Sequence, residues 1–390
     1  MNKEKEDDII KDVEIQTDKV LIDDTKEMLD SVKIKDVPIE EDKEVTESLH
    51  AEFGSFLKNS IDMEEDSGEK SVIPVGIDLL DTILGGGFAV GALNMICGQP
   101  GSGKSMLAFQ ALGNAQVVHK GELVAGVLDS EEATTKIRLR NLGVKNPEMK
   151  PYNNITVEKV FKFIEGLCLF KEKKKIIDIP SVAIWDSIAN TLSEKELQAE
   201  DPNTVIGYKA RLLSLLIPKY IGKCSMYNIC FIAVNQLRDD IQIGMFPNAK
   251  NLKFLTQGKV LPGGNVLLYN SFHLLEMKVG AVLKMEKYGF DGVVTKVKCV
   301  KNKLFPPNIE IELLGTFVNG FSNFWTNFNL LSKEKRLSTG AWNYLITLPE
   351  KKFRIKDAEK LYNEDEKFKE MFDISVQEVL KEWREKYGTE

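Results

Sequence analysis

The sequence predicts an α/β fold: a mostly parallel sheet extended by antiparallel strands, with a small α-rich piece at the C-terminal end. Three observations carry this. Residues 92–97, 123–128, 182–185 and 229–234 are short continuous apolar runs bounded by polar or turn residues and separated by helical patterns, as strands buried on both faces of a parallel sheet require. From residue 271 the runs 271–277, 280–287, 293–300 and 309–314 follow one another closely, with Gly289 and Gly292 in a hairpin-like turn, so antiparallel strands are expected there. Residues 356–387 are charged and helical in period.

Taken in order, residues 1–45 are acidic, lack aromatic side chains and show no sustained periodicity, and are expected to be a mobile tail. Residues 48–61 place Leu49, Phe53, Phe56 and Leu57 on one helical face, which predicts a docked helix, and 62–70 read as a linker. The main core is expected over 71–345, and a C-terminal helical subdomain over 346–390. Within the core, the run 92–97 leads into a Gly-rich turn, and 106–118 follow as a helix.

Composition excludes several function classes. With 43% apolar and 28% charged residues in 390 positions, the chain can bury a large core and is neither wholly disordered nor fibrous. Cys97, Cys168, Cys224, Cys230 and Cys299 form no CxxC pair, and only His50, His119 and His273 could join them, so neither a zinc site nor a disulfide scaffold is expected. No apolar run reaches membrane-spanning length, and residues 1–10 lack the apolar stretch of a secretory signal; a cytoplasmic protein with no membrane partner is expected. The net charge of −7 conceals an asymmetry: residues 1–70 carry −13 and residues 71–390 carry +6, so the body is mildly basic.

The decisive motif is Gly98-Gln99-Pro100-Gly101-Ser102-Gly103-Lys104-Ser105, which satisfies GxxxxGK[ST] between an apolar run and a helix. Its glycines let backbone N–H groups wrap phosphate oxygens, the helix N-terminus faces the negative charge, Lys104 reaches the outer phosphates, and the Ser105 hydroxyl suits Mg²⁺. Asp186 ends the run 182–185 at the edge where open α/β sheets bind ligands, and is expected to hold Mg²⁺ with Ser105. ATP and Mg²⁺ are therefore the expected ligands. The run 123–128 leads into Asp129-Ser130-Glu131-Glu132; hydrolysis needs a carboxylate to orient and deprotonate water, and either Glu131 or Glu132 suits by chemistry alone.

These motifs resemble the RecA-type strand-exchange recombinases, with long polar segments most like the phage UvsX branch. The resemblance covers roughly residues 72–345, opening with Ile73-Pro-Val-Gly-Ile-Asp-Leu-Leu-Asp81 and Gly85-Gly-Gly87. It implies a RecA-like P-loop ATPase core, makes Glu131 the general base, and places Arg138 against the adenine, where a planar guanidinium can stack. It also makes Gln236, after Asn235, a sensor of the γ-phosphate. Lys301-Asn302-Lys303 resembles the lysine pair that reaches a neighbouring protomer's ATP, where a cation supplied in trans stabilises the transferring phosphoryl group. Gly320-Phe-Ser-Asn-Phe324 and Thr339-Gly-Ala-Trp342 are further landmarks.

The long polar loop 237–265 contains Arg238, Phe246, Lys250, Lys253, Phe254 and Lys259 and ends in Pro262-Gly263-Gly264-Asn265. Cations that follow phosphates and rings that contact bases suit single-stranded nucleic acid. The family binds DNA with the equivalent loop, and Arg238 and Gly264 fall at matching positions. Residues 193–203 resemble the family's other DNA loop but are acidic; Lys209 and Arg211 follow, of which Arg211 matches a DNA-contacting position. The resemblance implies a DNA-dependent ATPase that forms helical filaments on single-stranded DNA and exchanges strands with duplex DNA. Residues 46–70 would dock on an adjacent protomer, and single-strand-binding and mediator proteins are the further partners it implies, in bacterial cytoplasm. A ring-shaped RecA-fold DNA helicase and a non-catalytic recombination mediator are the competing readings.

Overall fold

The computed structural model describes residues 70–145, 155–239, 255, 259–316 and 318–387. The expected acidic tail, the 48–61 helix, Phe246, Lys250, Lys253 and Phe254 lie outside the described residues.

A two-stranded ribbon of β1 (Val72–Ile73) and β2 (Phe88–Ala89) brackets α1 (Asp78–Leu84). The strands β3 (Ala92–Gly98), β4 (Val124–Asp129), β5 (Ser181–Asp186), β6 (Ile229–Gln236), β9 (Ser271–Leu283), β10 (Gly292–Lys301), β11 (Ile309–Thr316) and β12 (Gly320–Phe321) build one sheet. The short pair β7 (Arg238–Asp239) and β8 (Lys259–Val260) stands apart from it. Across the eight-stranded sheet the order is β12-β11-β10-β9-β3-β6-β5-β4. From β4 to β9 the neighbours are parallel, and from β9 to β12 they are antiparallel.

Alternating side chains of the buried strands feed two cores, as the two-residue period of a strand dictates. Cys230, Ile232 and Val234 of β6 join Met106, Leu107 and Ala111 of α2 (Lys104–Val118), while Phe231 and Ala233 join the opposite cluster. That second cluster is covered by α4 (Val157–Lys174) and α6 (Tyr208–Met226), with Phe161, Ile164, Leu213 and Ile217 inward. The smaller helices are α3 (Lys136–Asn141), α5 (Glu194–Gln198), α7 (Asn265–Asn270) and α8 (Met285–Tyr288). All five cysteines are buried. Among the described residues no helix is long and apolar enough to cross a membrane.

Two expectations change. The run 271–277 is parallel to β3 rather than antiparallel, and it continues without a break to Leu283; residues 285–288 then turn into α8. Gly280 permits this: a Cβ there would stand 2.7 Å from the Val294 carbonyl oxygen, beside a register shift in the β9–β10 pairing. The glycine that reads as a break is the point where two backbones come closest.

At the C-terminal end, α9 (Asn323–Lys333) is followed by the three-stranded sheet β13 (Leu337–Ser338), β14 (Asn343–Leu345) and β15 (Leu348–Phe353). Then come α10 (Ala358–Glu364) and α11 (Glu366–Tyr387). Phe368, Phe372, Val376, Val379 and Leu380 recur every three or four residues on α11 and share one buried cluster with Phe324, Leu331, Leu345 and Leu348. The chain passes position 345 inside the β14–β15 hairpin, and Lys70–Glu390 form one compact unit.

Candidate nucleotide site

The β3 and β6 strands end side by side, Gly98 opposite Gln236, and β4 and β5 end together with Asp129 opposite Asp186. The crossover from β3 passes to the far strand β4 before the chain returns through β5 and β6. The strand order therefore reverses at β3, and a crevice opens beyond its C-terminal end. The crevice has a volume of about 230 Å³ and is lined by Lys104, Ser105, Glu131, Arg138, Asp186 and Gln236, among others.

The P-loop holds its shape through its glycines. Gly101 and Gly103 take φ of 74° and 85°, and a Cβ on Gly103 would approach the Phe321 ring to 2.8 Å. The Lys104 ammonium donates to the Gln99 carbonyl at 2.7 Å, and the Ser102 hydroxyl donates to the same oxygen at 2.8 Å. Burial lowers the pKa of Lys104, while Asp186 and Glu131 pull it the other way.

Asp186 is 3% exposed, and its Oδ1 has no hydrogen-bond partner. Burial pushes its carboxyl up to about 7; the Ser105 hydroxyl bonded to it opposes the rise, and Glu131 and Asp129 add to it. A buried, unpartnered carboxylate oxygen beside a hydroxyl is a donor set for a hard divalent cation, which relieves the cost of the buried charge. Ser105 and Asp186 therefore fit Mg²⁺. Among the described residues no three His, Cys, Asp or Glu side chains cluster to hold a metal.

Glu131, rather than Glu132, lines the crevice. Asp129 shapes the turn: its carboxylate accepts from the Glu131 N–H at 3.0 Å and the Thr134 N–H at 2.8 Å. Glu131 Oε1 then receives three donors, the Ser187 hydroxyl at 2.7 Å, the Asn190 amide at 2.8 Å and the Gln236 amide at 2.8 Å. Arg138 stands on the crevice wall in α3, whose N-terminus is capped by Thr135.

Gln236 heads the polar loop. Its neighbour Asn235 donates to the Pro262 carbonyl at 2.8 Å, tying the loop's two ends together. Gly263 and Gly264 both have positive φ, and a Cβ on Gly263 would meet Leu267 at 2.7 Å. Asn265 opens α7. Arg238 is exposed in β7, and the Arg238–Val260 and Asp239–Lys259 pairings form its short ribbon with β8. Arg211 is exposed on α6, which starts at Tyr208; Pro202–Val205 form a separate 3₁₀ turn.

Lys301 and Lys303 are not in this crevice. The β10 strand runs antiparallel to β9, and Lys301 pairs with Leu274 near the start of β9, so both lysines lie toward the sheet edge opposite the P-loop. The Lys301 ammonium donates to the Leu268 and Tyr269 carbonyls at 3.0 and 2.6 Å, and the Lys303 ammonium sits 5.5 Å from the Phe272 ring centroid.

Residues 43–322 match the model of the RecA N-terminal domain, well over half of the chain. The chain belongs to the RecA family. It is 29% identical over 332 residues to the protein RecA of Borrelia hermsii, covering 80% of this chain and 85% of that one. It is 32% identical over 244 residues to RecA of Thermus aquaticus, covering 62% and 66%, and 31% identical over 299 residues to RecA of Geobacter sulfurreducens, covering 75% and 81%. The family match begins upstream of position 72, where the motif resemblance starts.

In this RecA-family crevice the sequence reading missed Ser130, Ser187 and Asn190. Ser130 donates to the Asp186 and Ser187 carbonyls and accepts the Ser187 N–H at 3.0 Å, locking the β4 and β5 ends together. Ser187 follows Asp186 directly, and Ser130 sits inside the Asp-Ser-Glu triplet, so position hints at both. Asn190 carries no motif. Lys209, to which no role was assigned, is half-buried, with its ammonium bonded to the Ile188, Ala189 and Thr191 carbonyls.

Proposed function

We propose that this RecA-family chain is a DNA-dependent ATPase of recombination and repair, most like the UvsX branch. It assembles on single-stranded DNA as a helical filament and pairs and exchanges that strand with homologous duplex. The observation that carries this reading is the 2.8 Å bond from Gln236 to Glu131, which joins a hydrolytic carboxylate to the first residue before the polar loop. In the proposed cycle Lys104 and the P-loop N–H groups hold the outer phosphates, Arg138 packs on the base, and Glu131 takes the proton of the attacking water. Ser105 and Asp186 would hold Mg²⁺, which would supply neutralisation of phosphate charge. A γ-phosphate competing for the Gln236 amide frees Glu131 and shifts the loop, so nucleotide state and DNA grip are coupled. Lys301 and Lys303, at the opposite edge of the sheet, act on the next protomer's nucleotide.

The deciding experiment images the purified protein on long single-stranded DNA with Mg²⁺ and a slowly hydrolysed ATP analogue. Continuous nucleotide-dependent helical filaments are the expected result. Closed rings would replace this reading with a ring helicase, and no assembly would replace it with a mediator that binds ATP as a structural ligand.

The DNA contacts are proposed for Arg211, Arg238, Phe246, Lys250, Lys253, Lys259 and the Gly263-Gly264-Asn265 end of the loop. If the five cations neutralise five phosphates, raising salt from about 50 to about 200 mM weakens single-strand binding roughly hundredfold. Binding titrations across that range check it, and a flat salt response would remove the loop from the interface.

A further inference from the structure

We propose that Asn190 is a positioning residue for Glu131, tied through Lys209 to the polar segment 193–203, so that this segment reports to the hydrolytic site by a route separate from Gln236. The inference rests on Glu131 acting as the base.

Asn190 lies in the turn 187–191 directly after Asp186. The turn is anchored at both ends: Ile188 N–H bonds the Val234 carbonyl at 2.9 Å, the Thr191 hydroxyl donates to the Ser187 carbonyl at 2.7 Å, and the Trp185 indole donates to that hydroxyl at 2.7 Å. The Lys209 ammonium reaches across from α6 and binds three carbonyls of the turn, Ile188 at 3.1 Å, Ala189 at 3.3 Å and Thr191 at 2.9 Å. A lysine spent on three carbonyls makes the position of α6 and the position of Asn190 one variable.

The polar segment enters through α5. Ser193 and Glu196 close a capping box there, and the Glu194 N–H bonds Glu158 at 2.9 Å. The Lys195 ammonium of α5 sits 4.9 Å from the ring centroid of Tyr208, the first residue of α6, and the charge of Glu196 opposes the lowering of the Lys209 pKa by burial. A strand of DNA that moved segment 193–203 would move Glu196 and α6, and through Lys209 the amide that Asn190 presents to Glu131.

The sign follows from the donors. Three hydrogen bonds converge on one Glu131 oxygen and hold it against the Ser187, Asn190 and Gln236 side chains. With all three in place the lone pairs of that oxygen are engaged and the carboxylate is held in one position. Releasing Asn190 frees part of the oxygen to meet water.

The test is steady-state ATP turnover of the full chain with and without saturating single-stranded DNA. Asn190 is exposed, so Asn190→Ala leaves the core intact. It is expected to raise DNA-free turnover by about three- to tenfold, on the scale of one hydrogen bond to a charged group, with DNA-saturated turnover and KM for ATP near wild type. The stimulation ratio therefore shrinks. Lys209→Met is expected to shrink it as well, and an unchanged ratio there would overturn the Lys209 link. Equal loss of both turnovers in Asn190→Ala, or an unchanged ratio, would overturn the relay. Glu131→Gln in the same assay separates the two readings: normal turnover would remove Glu131 as base and the relay with it. An inactive Glu131→Gln beside an unchanged Asn190→Ala ratio would remove the relay alone.

Discussion

Glu131→Gln is expected to bind ATP and DNA with wild-type affinity and to hydrolyse ATP about 10²- to 10⁴-fold more slowly, the span that positioned general bases contribute. The substitution keeps the side chain's size and one carbonyl oxygen, which can still accept the Ser187 hydroxyl and the Asn190 amide, so the β4 and β5 ends stay joined. What it removes is the capacity to take a proton. The P-loop, Ser105 and Asp186 are untouched, so nucleotide and Mg²⁺ affinity persist and the complex stalls in its ATP-bound, DNA-gripping state. Phosphate release under single-turnover and steady-state conditions, alongside equilibrium binding of an ATP analogue, checks each half. Wild-type turnover would strike Glu131 from the role; loss of binding together with hydrolysis would mean the crevice itself had collapsed.

Lys301→Ala is expected to cut DNA-dependent turnover about 10²- to 10³-fold, as loss of a single transition-state donor does. It should do so without touching that protomer's own nucleotide binding. Lys301 of β10 pairs with Leu274 near the start of β9, whereas the P-loop follows the far end of the neighbouring β3. The two are therefore expected to meet only across a protomer boundary. A mixture of Lys301→Ala and Lys104→Ala proteins tests this. Each is inactive alone, but a Lys301→Ala protomer supplies an intact P-loop and a Lys104→Ala neighbour supplies an intact Lys301. In a head-to-tail array formed at random from equal amounts, about a quarter of the boundaries are whole. Recovery of activity on mixing is the expected result, and no recovery at any ratio would place the lysines in their own protomer's site or outside catalysis. The Leu268 and Tyr269 carbonyls released by the substitution lie beside an exposed tyrosine, where water replaces the ammonium, so the fold tolerates the change.

Both experiments concern groups that were legible in the sequence, and the contrast with Asn190 and Lys209 explains why. Gly98 to Ser105 is a contiguous motif whose chemistry depends on local backbone shape, and the apolar runs that became β3, β4, β5 and β6 are continuous because each strand is covered on both faces. Strand end plus motif was enough to place Lys104, Ser105 and Asp186 in one crevice. The choice between Glu131 and Glu132 was not available from chemistry alone. Family pattern pointed to Glu131, and in the structure the turn built by Asp129 brings Glu131 into the crevice.

What the amino-acid order determined by itself was therefore the class of fold, the nucleotide loop and the succession of motifs along the chain. Tertiary structure decided the rest. The run 271–277 became a parallel neighbour of β3 because pairing direction depends on where the chain returns after α7, and no apolar period records that. The Glu131 oxygen draws its donors from residues 56, 59 and 105 positions away, and only the sheet order that sets β4, β5 and β6 side by side brings them within hydrogen-bond reach. Lys209, which no motif singles out, turns inward to three carbonyls of a tight turn, since backbone acceptors taken from water need donors. Periodicity encodes which face of an element is buried; it carries no information about which distant side chain waits on the other side.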